Sequence, residues 1–278
     1  MKFTKMQGCG NDYVYIDCFS ETVRHPAALA RRISDRHYGV GGDGLILIEP
    51  SDRADAFMHM FNADGSEGDM CGNGIRCAAK YLYDHGHIPP DRRSAVIDTR
   101  AGLREIIFRA EHGKAAELTV DMGVPELTSR VPEAIEILGM SLRFIGVDMG
   151  NPHAVYFLEN NLALGAAHIA ELDLSRCSGR FEAHPRFPDR VNSEFVEILS
   201  PIEINLRVWE RGSGETLACG TGAAAAVYAG IRAGKLARNV LVHLSGGDLR
   251  VLCDAESGRC FLTGDAAEVF CGTYDADA

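Results

Sequence analysis

Two runs of alternating apolar and polar side chains, Ala56 to Phe61 and Ile204 to Trp209, read as β-strands with one buried face. Each leads into a glycine-rich loop and then into an Ala-containing segment with the character of a buried central helix, Ile75 to Asp84 and Ala223 to Arg232. Gly86 and Gly234 then stand where a glycine ends a helix in the left-handed conformation. The two copies are offset by 148 residues, which carries Phe61-Asn62 onto Trp209-Glu210, Glu67 onto Glu215, and Cys-Gly-Asn-Gly at 71–74 onto Cys-Gly-Thr-Gly at 219–222. Gly-Ser pairs lie in both loops, at 65–66 and 212–213. Further back, Gly10-Asn11-Asp12-Tyr13-Val14-Tyr15 is similar to Gly150-Asn151-Pro152-His153-Ala154-Val155-Tyr156.

An ordered series found twice implies two equivalent halves. Charged and small residues replace the apolar pattern near Gly113 to Glu117, so the expected division is 1–116 and 117–265. Ala267 to Tyr274 reads as a last strand that returns to the first half, which adds 266–278 to it.

Composition narrows the partners. A chain of 278 residues with 46% hydrophobic content builds real cores. With 39 acidic against 28 basic residues its net charge of −11 repels a phosphate backbone, which excludes nucleic acid as an expected partner. Met1 to Tyr13 lacks the apolar stretch of a signal peptide, and the run Ala218 to Ile231 is too short and Gly-interrupted to cross a bilayer. The expected location is the cytoplasm, with no membrane contact.

Nine cysteines, at 9, 18, 71, 77, 177, 219, 253, 260 and 271, are an odd number in a chain that needs no disulfide staples, and most are expected as reduced thiols. None forms a CxxC pair, and Cys253 and Cys260 flank the turn Ser257-Gly258 as cross-strand neighbours. Cys71 and Cys219 differ from the rest because the repeat places both at helix N-termini. Unpaired N–H groups there bind carboxylates and lower a thiol's pKa from its usual ~8.5. Inverting a stereocentre by proton transfer needs a base on one face of a planar carbanion and an acid on the other. Two related thiols supply both, whereas a hydrolase or thioltransferase needs one nucleophile and leaves the duplication unexplained. The five lysines lie in no phosphate-cradling frame and His-rich metal spacings are missing, so the expected chemistry uses no cofactor and no metal.

These motifs, together with Arg36-His37-Tyr38-Gly39-Val40-Gly41 and Trp209-Glu210-Arg211-Gly212-Ser213-Gly214-Glu215-Thr216, resemble the diaminopimelate epimerase family over nearly the whole length. That family interconverts L,L- and meso-diaminopimelate for lysine and peptidoglycan synthesis. The resemblance implies an α/β fold of the α+β type: two pseudo-symmetric domains, each a β-barrel-like sheet around a central helix, with the active site in the cleft between them. It implies Cys71 and Cys219 as the acid/base pair, His153 and Glu210 as residues that tune the thiols, and N–H groups at Gly72-Asn73 and Gly220-Thr221 that hold the reacting carboxylate. Asn11, Asn62, Asn151, Asn192, Glu210 and Arg211 match substrate-binding positions, and a homodimer is implied.

Each assignment has a plainer reading beside it. Arg211, opposite Ala63 in the repeat, is a surface charge or a carboxylate clamp. His153 is a structural histidine or a catalytic support, and Asn11 and Asn151 are turn residues or ligands. Gly44 stands where many relatives carry a glutamine that contacts substrate, and Ser193-Glu194 departs from the familiar small-residue and amide pattern after Asn192. A proline- or hydroxyproline-type racemase and a thiol redox protein are the rival readings.

Overall fold

The computed structural model describes residues 1–176 and 179–275. Cys177 and positions 276–278 of the expected returning segment lie outside the described residues. The elements in chain order are β1 (Lys2–Gly8), β2 (Asn11–Asp17), α1 (Pro26–Ile33), β3 (Gly44–Glu49), β4 (Ala56–Asn62), β5 (Glu67–Gly68), α2 (Gly72–Asp84), β6 (Ser94–Asp98), β7 (Arg104–Glu111) and β8 (Lys114–Gly123). There follow β9 (Glu126–Leu127), β10 (Glu133–Ile137), β11 (Met140–Asp148), β12 (Pro152–Phe157), β13 (Asn192–Ser200), β14 (Glu203–Glu210), β15 (Gly214–Thr216), α3 (Gly220–Arg232), β16 (Asn239–Leu244), β17 (Gly247–Cys253), β18 (Cys260–Gly264) and β19 (Ala267–Thr273).

The chain divides into two compact units, one of Met1–Asp121 with the segment that begins at Thr263, the other of Met122–Leu262. The passage from one to the other falls inside β8, later than Gly113 to Glu117. Gly113 (φ 76°) is instead a turn residue of the hairpin that joins β7 to β8, and the polar residues around it serve that turn. In the first unit β19 pairs antiparallel with β1.

Both units are built on one pairing scheme. In the first, β1–β2 is antiparallel, β2–β3 parallel, β3–β4 antiparallel, β4–β6 parallel and β6–β7 antiparallel. In the second, β11–β12, β12–β13, β13–β14, β14–β16 and β16–β17 run in the same sequence of directions. The register repeats as well. Tyr13 pairs with Gly44 as His153 pairs with Asn192, Leu45 with Phe61 as Ser193 with Trp209, and Phe61 with Glu67 as Trp209 with Glu215.

One long helix is held by the strands of each unit. α2 packs on β1, β2, β6, β7 and β19, and α3 on β11, β12, β13 and β17. Small residues make the enclosure feasible: Ala223 to Ala226 are all fully buried, so backbone and methyl groups meet the sheet directly. α2 carries Arg76, which is also fully buried and spends its guanidinium on the carbonyls of Gly72 and Asp265 and on Asn73 Oδ1. Separate cores back the two units: Val14, Ile16, Ile33, Leu45, Leu47 and Phe61 in the first, and Phe144, Tyr156, Phe181 and Phe195 in the second.

Cys253 and Cys260 are cross-strand neighbours, as their spacing suggests, and they form a disulfide rather than a pair of thiols. The intervening turn closes on Gly258 (φ 70°). Cys9, Cys18, Cys71, Cys77, Cys219 and Cys271 are outside any disulfide.

Candidate active site

Cys71 and Cys219 occupy the same place in their two units. Each is the N-cap of its central helix, with extended backbone (φ −131°, ψ 121° and φ −127°, ψ 114°), and each sulfur accepts the N–H of the third helical residue, Gly74 or Gly222, at 3.4 Å. Gly86 (φ 80°) and Gly234 (φ 70°) end the two helices in the left-handed conformation. The caps leave the first N–H groups of each helix, at Gly72-Asn73 and Gly220-Thr221, without intrahelical carbonyl partners, which is the arrangement that receives a carboxylate.

In the first unit the Cys71 thiol donates to Asn11 Oδ1 at 3.2 Å. Asn11 Nδ2 in turn donates to Asp43 Oδ2 at 2.7 Å, and Asp43 also accepts the Asp12 backbone N–H. Arg36 bridges Asp12 and Asp43, and the buried Lys5 ammonium lies 2.6 Å from Asp12 Oδ2. Asn11 is therefore fixed from behind by an ion network. Burial raises the Asp12 pKa, but the bonds from Arg36 and Lys5 more than offset it and hold the carboxyl below its ordinary value. Asn62 Nδ2 donates to Ser66 Oγ at the open end of β4. The Asn73 side-chain oxygen accepts from the Arg76 guanidinium at 2.9 Å.

Gly44 has no room for any side chain. A Cβ built there lies 2.1 Å from the Phe61 carbonyl oxygen and 2.8 Å from the Tyr13 ring. Its Cα position in β3, between Tyr13 and Asn62, holds the sheet at a closer approach than any larger residue permits.

The second unit is chemically different. Glu210, at the end of β14, accepts the Thr216 hydroxyl at 2.5 Å. Burial pushes its carboxyl above the usual range, opposed by bonds from Thr216 and Cys219. The Cys219 thiol is driven well above its ordinary value, first by burial and then by the charges of Glu210 and Glu194, with Thr221 and the Gly222 N–H acting against that. This corrects the expectation that a helix N-terminus lowers the pKa of both cysteines: at Cys219 desolvation and two carboxylates outweigh the helix end.

His153 is fully enclosed. Nδ1 lies 2.7 Å from Glu194 Oε1 and Nε2 3.0 Å from Asn151 Oδ1, while Asn151 Nδ2 approaches Thr221 Oγ1 at 3.4 Å. Asn192 is buried with its amide spent on backbone, donating to the Pro152 carbonyl and accepting the Arg211 N–H at 2.8 Å. It sets the path of the chain into Arg211, whose guanidinium is exposed and reaches the Asp189 carbonyl. The sequence alone assigns no role to Glu194, Thr216 or Asp43. The repeat carried a signal for one of them, since it sets Glu194 opposite Ile46.

Two like halves that cap a central helix with a thiol set the frame for comparison with known proteins. The sequence model described as Diaminopimelate epimerase matches residues 3–128 and 145–269. The chain belongs to the diaminopimelate epimerase family. It is 47% identical over 291 residues to the diaminopimelate epimerase of Desulfovibrio desulfuricans, covering 99% of this chain and 98% of the relative. It is 46% identical to that of Agathobacter rectalis, with 99% of both chains covered. Among solved structures it is similar to a probable proline racemase from Agrobacterium radiobacter (TM-score 0.76, 16% identity, 99% of this chain and 93% of that one). A hydroxyproline epimerase from Agrobacterium vitis gives a TM-score of 0.74 at 17% identity, over 98% and 91% of the two chains. At those identities the likeness is one of fold.

Proposed function

We propose that the chain is an isomerase that epimerises L,L-diaminopimelate to meso-diaminopimelate without a cofactor, with Cys71 and Cys219 as its two acid/base groups. The observation that carries this reading is the matched pair of thiol caps, each beside helix N–H groups suited to an α-carboxylate. Cα–H is a weak acid, and a carboxylate held by those N–H groups gains stabilisation as the carbanion forms. One thiolate removes the Cα proton and the other thiol delivers a proton to the opposite face, after which their roles are exchanged. Cys219 enters as the donor, because burial and its two carboxylate neighbours keep its proton on. In this reading Glu210, which is bonded to the Cys219 thiol, relays that proton, and the Thr216 hydroxyl steadies its charged form.

The asymmetry of the halves supports a substrate with a second polar end. Asn62-Ala63 in the first half stands against Glu210-Arg211 in the second, and Arg211 supplies a cation where the first half has Ala63. Asn11, Asn62, Asn151, Glu210 and Arg211 are the side chains proposed for the substrate's polar groups, with Asn192 in support. Relatives at 42–47% identity that span nearly the whole chain are named diaminopimelate epimerases, which favours this substrate over proline or hydroxyproline. Among the described residues no helix is long and apolar enough to cross a membrane. A cytoplasmic homodimer in the route to lysine is the setting proposed.

The test is proton exchange. Purified protein without added pyridoxal phosphate or metal is incubated with L,L-diaminopimelate in D₂O, and the reading expects deuterium at Cα together with meso product. Absence of both rejects it.

A further inference from the structure

The internal repeat isolates one pair of residues whose presence the fold does not require. His153 on β12 and Glu194 on β13 have no exposed side-chain surface and meet at 2.7 Å. Their equivalents by register in the first unit are Tyr13 and Ile46. The same site beneath the helix N-terminus is filled in both units: a Cβ at Gly74 would lie 2.8 Å from Ile46 Cδ1, and one at Gly222 would lie 2.9 Å from Glu194 Oε1. One half thus builds this layer from an aromatic and an aliphatic residue, while the other buries an acid and an imidazole there. Replacing a buried ionic pair by packed apolar groups is commonly neutral or stabilising, so packing gives no reason to keep it.

Hydrogen-bond chemistry indicates the state of the pair. Nδ1 faces a carboxylate oxygen and Nε2 faces the amide oxygen of Asn151, so each ring nitrogen points at an acceptor. With Glu194 ionised, a ring set between two acceptors is satisfied only when both nitrogens carry protons. Glu194 Oε2 is buried with no hydrogen-bond partner among the described residues, so the imidazole is what makes burial of this acid tolerable. The other titratable groups that face the pair are Glu210 at the end of β14 and Cys219 at the start of α3. Neither supplies a positive charge.

We propose that Glu194 is a positioning residue that holds His153 as the doubly protonated imidazolium, aimed through Asn151 at the N-terminus of α3, and so places a fixed cation behind that helix end. A carboxylate-bearing substrate at that helix end then meets a fixed positive charge, and Asn151 is locked with its Nδ2 toward Thr221. The kinetic consequence rests on the epimerase reading above. The protonation state does not.

The experiment is ¹⁵N NMR of selectively labelled histidine in the full chain at pH 7.5, without substrate. The wild type is expected to show both His153 nitrogens protonated. Glu194→Gln is expected to show one unprotonated nitrogen and to titrate on lowering the pH, and Glu194→Asp to keep the imidazolium. A neutral His153 in the wild type, or a Glu194→Gln spectrum identical to it, overturns the proposal. In parallel, the double variant His153→Tyr, Glu194→Ile copies the first unit's own residues. It is expected to unfold cooperatively at a denaturant midpoint no lower than the wild type, with epimerisation reduced at least about 100-fold. Loss of the fold shows the pair to be structural and overturns the proposal, as does retained turnover. If the wild type lacks Cα exchange but keeps the imidazolium, the epimerase reading fails and the assignment of Glu194 stands.

Discussion

The Thr216 hydroxyl lies 2.5 Å from Glu210 Oε1 and opposes the burial that raises this acid's pKa. Thr216→Val keeps the shape of the side chain and removes the donor. The Glu210 pKa then rises further, so the acidic limb of kcat/KM against pH moves to higher pH. A fall in kcat of about 10-fold at neutral pH is expected, the size of one lost hydrogen bond to a charged group. A pH profile that coincides with the wild type counts against Glu210 as a proton relay.

Stability should respond to the same acid in a direction its burial dictates. The folded-state pKa of Glu210 is raised above its ordinary value, so folding binds its proton more tightly than the unfolded chain does. Its contribution is fully present below the unfolded pKa, ~4.5, and is lost as pH rises through the folded value. Glu210→Gln removes this loss. The variant is expected to melt a few °C above the wild type at pH 8 and to show little difference near pH 4, as read by calorimetry, while its turnover falls. Equal melting shifts at both pH values refute the burial argument.

Much of this was legible because the chain repeats its own pattern. The strands at 56–62 and 203–210, both central helices and both terminal glycines follow from apolar periodicity and the 148-residue offset. The offset also singled out Cys71 and Cys219, which stand at matching caps. The unit boundary was harder, because a tight hairpin at Gly113 and an interdomain linker share one composition. The Cys219 pKa was read in the wrong direction for a different reason. A helix end is visible in sequence, but the burial of Cys219 and the approach of Glu194 and Glu210 are tertiary facts. Asn192 shows a further limit: a motif match names an amide but cannot say that Pro152 and Arg211 already use both its ends.

The paired thiols make a prediction that a single-nucleophile protein would fail. Cys71→Ala and Cys219→Ala should each reduce net epimerisation by at least about 1,000-fold, since a proton must be taken from one face and returned on the other. Conversion of L,L- to meso-diaminopimelate is followed by chiral chromatography. Turnover within 10-fold of the wild type in either variant rules out the two-thiol mechanism.

Equivalent glycines in the two halves should differ in their tolerance of a methyl group. Gly74→Ala meets the flexible end of Ile46 at 2.8 Å, which can rotate aside, and gains helix propensity over glycine. Its stability is expected within about 1 kcal/mol of the wild type. Gly222→Ala meets Glu194 Oε1 at 2.9 Å, a buried carboxylate whose displacement breaks its bond to His153. A cost of about 1–3 kcal/mol is expected in urea unfolding. Equal costs in the two variants would show that the carboxylate moves freely.

The ion network behind Asn11 supplies the last test. Lys5 is buried, and Asp12 is its partner at 2.6 Å, with Arg36 bonded to the same carboxylate. Asp12→Asn keeps the volume and leaves the Lys5 ammonium without its neighbouring charge, a loss of about 2–3 kcal/mol at neutral pH, the size of a hydrogen bond to a charged group. The sign of the pH dependence follows from the depressed Asp12 pKa. That contribution is present above the unfolded pKa, ~3.8, and is lost as pH falls through the lower folded value. The stability gap between wild type and variant should therefore be largest between pH 6 and 8 and narrow toward pH 3. Asp43 and Asn11 pass the same disturbance to the thiol, because Asn11 Oδ1 is what the Cys71 thiol donates to. Asp12→Asn should accordingly lower kcat several-fold even under conditions where the protein is fully folded. A variant that loses stability but keeps kcat would show that the network holds the fold and leaves Cys71 untouched.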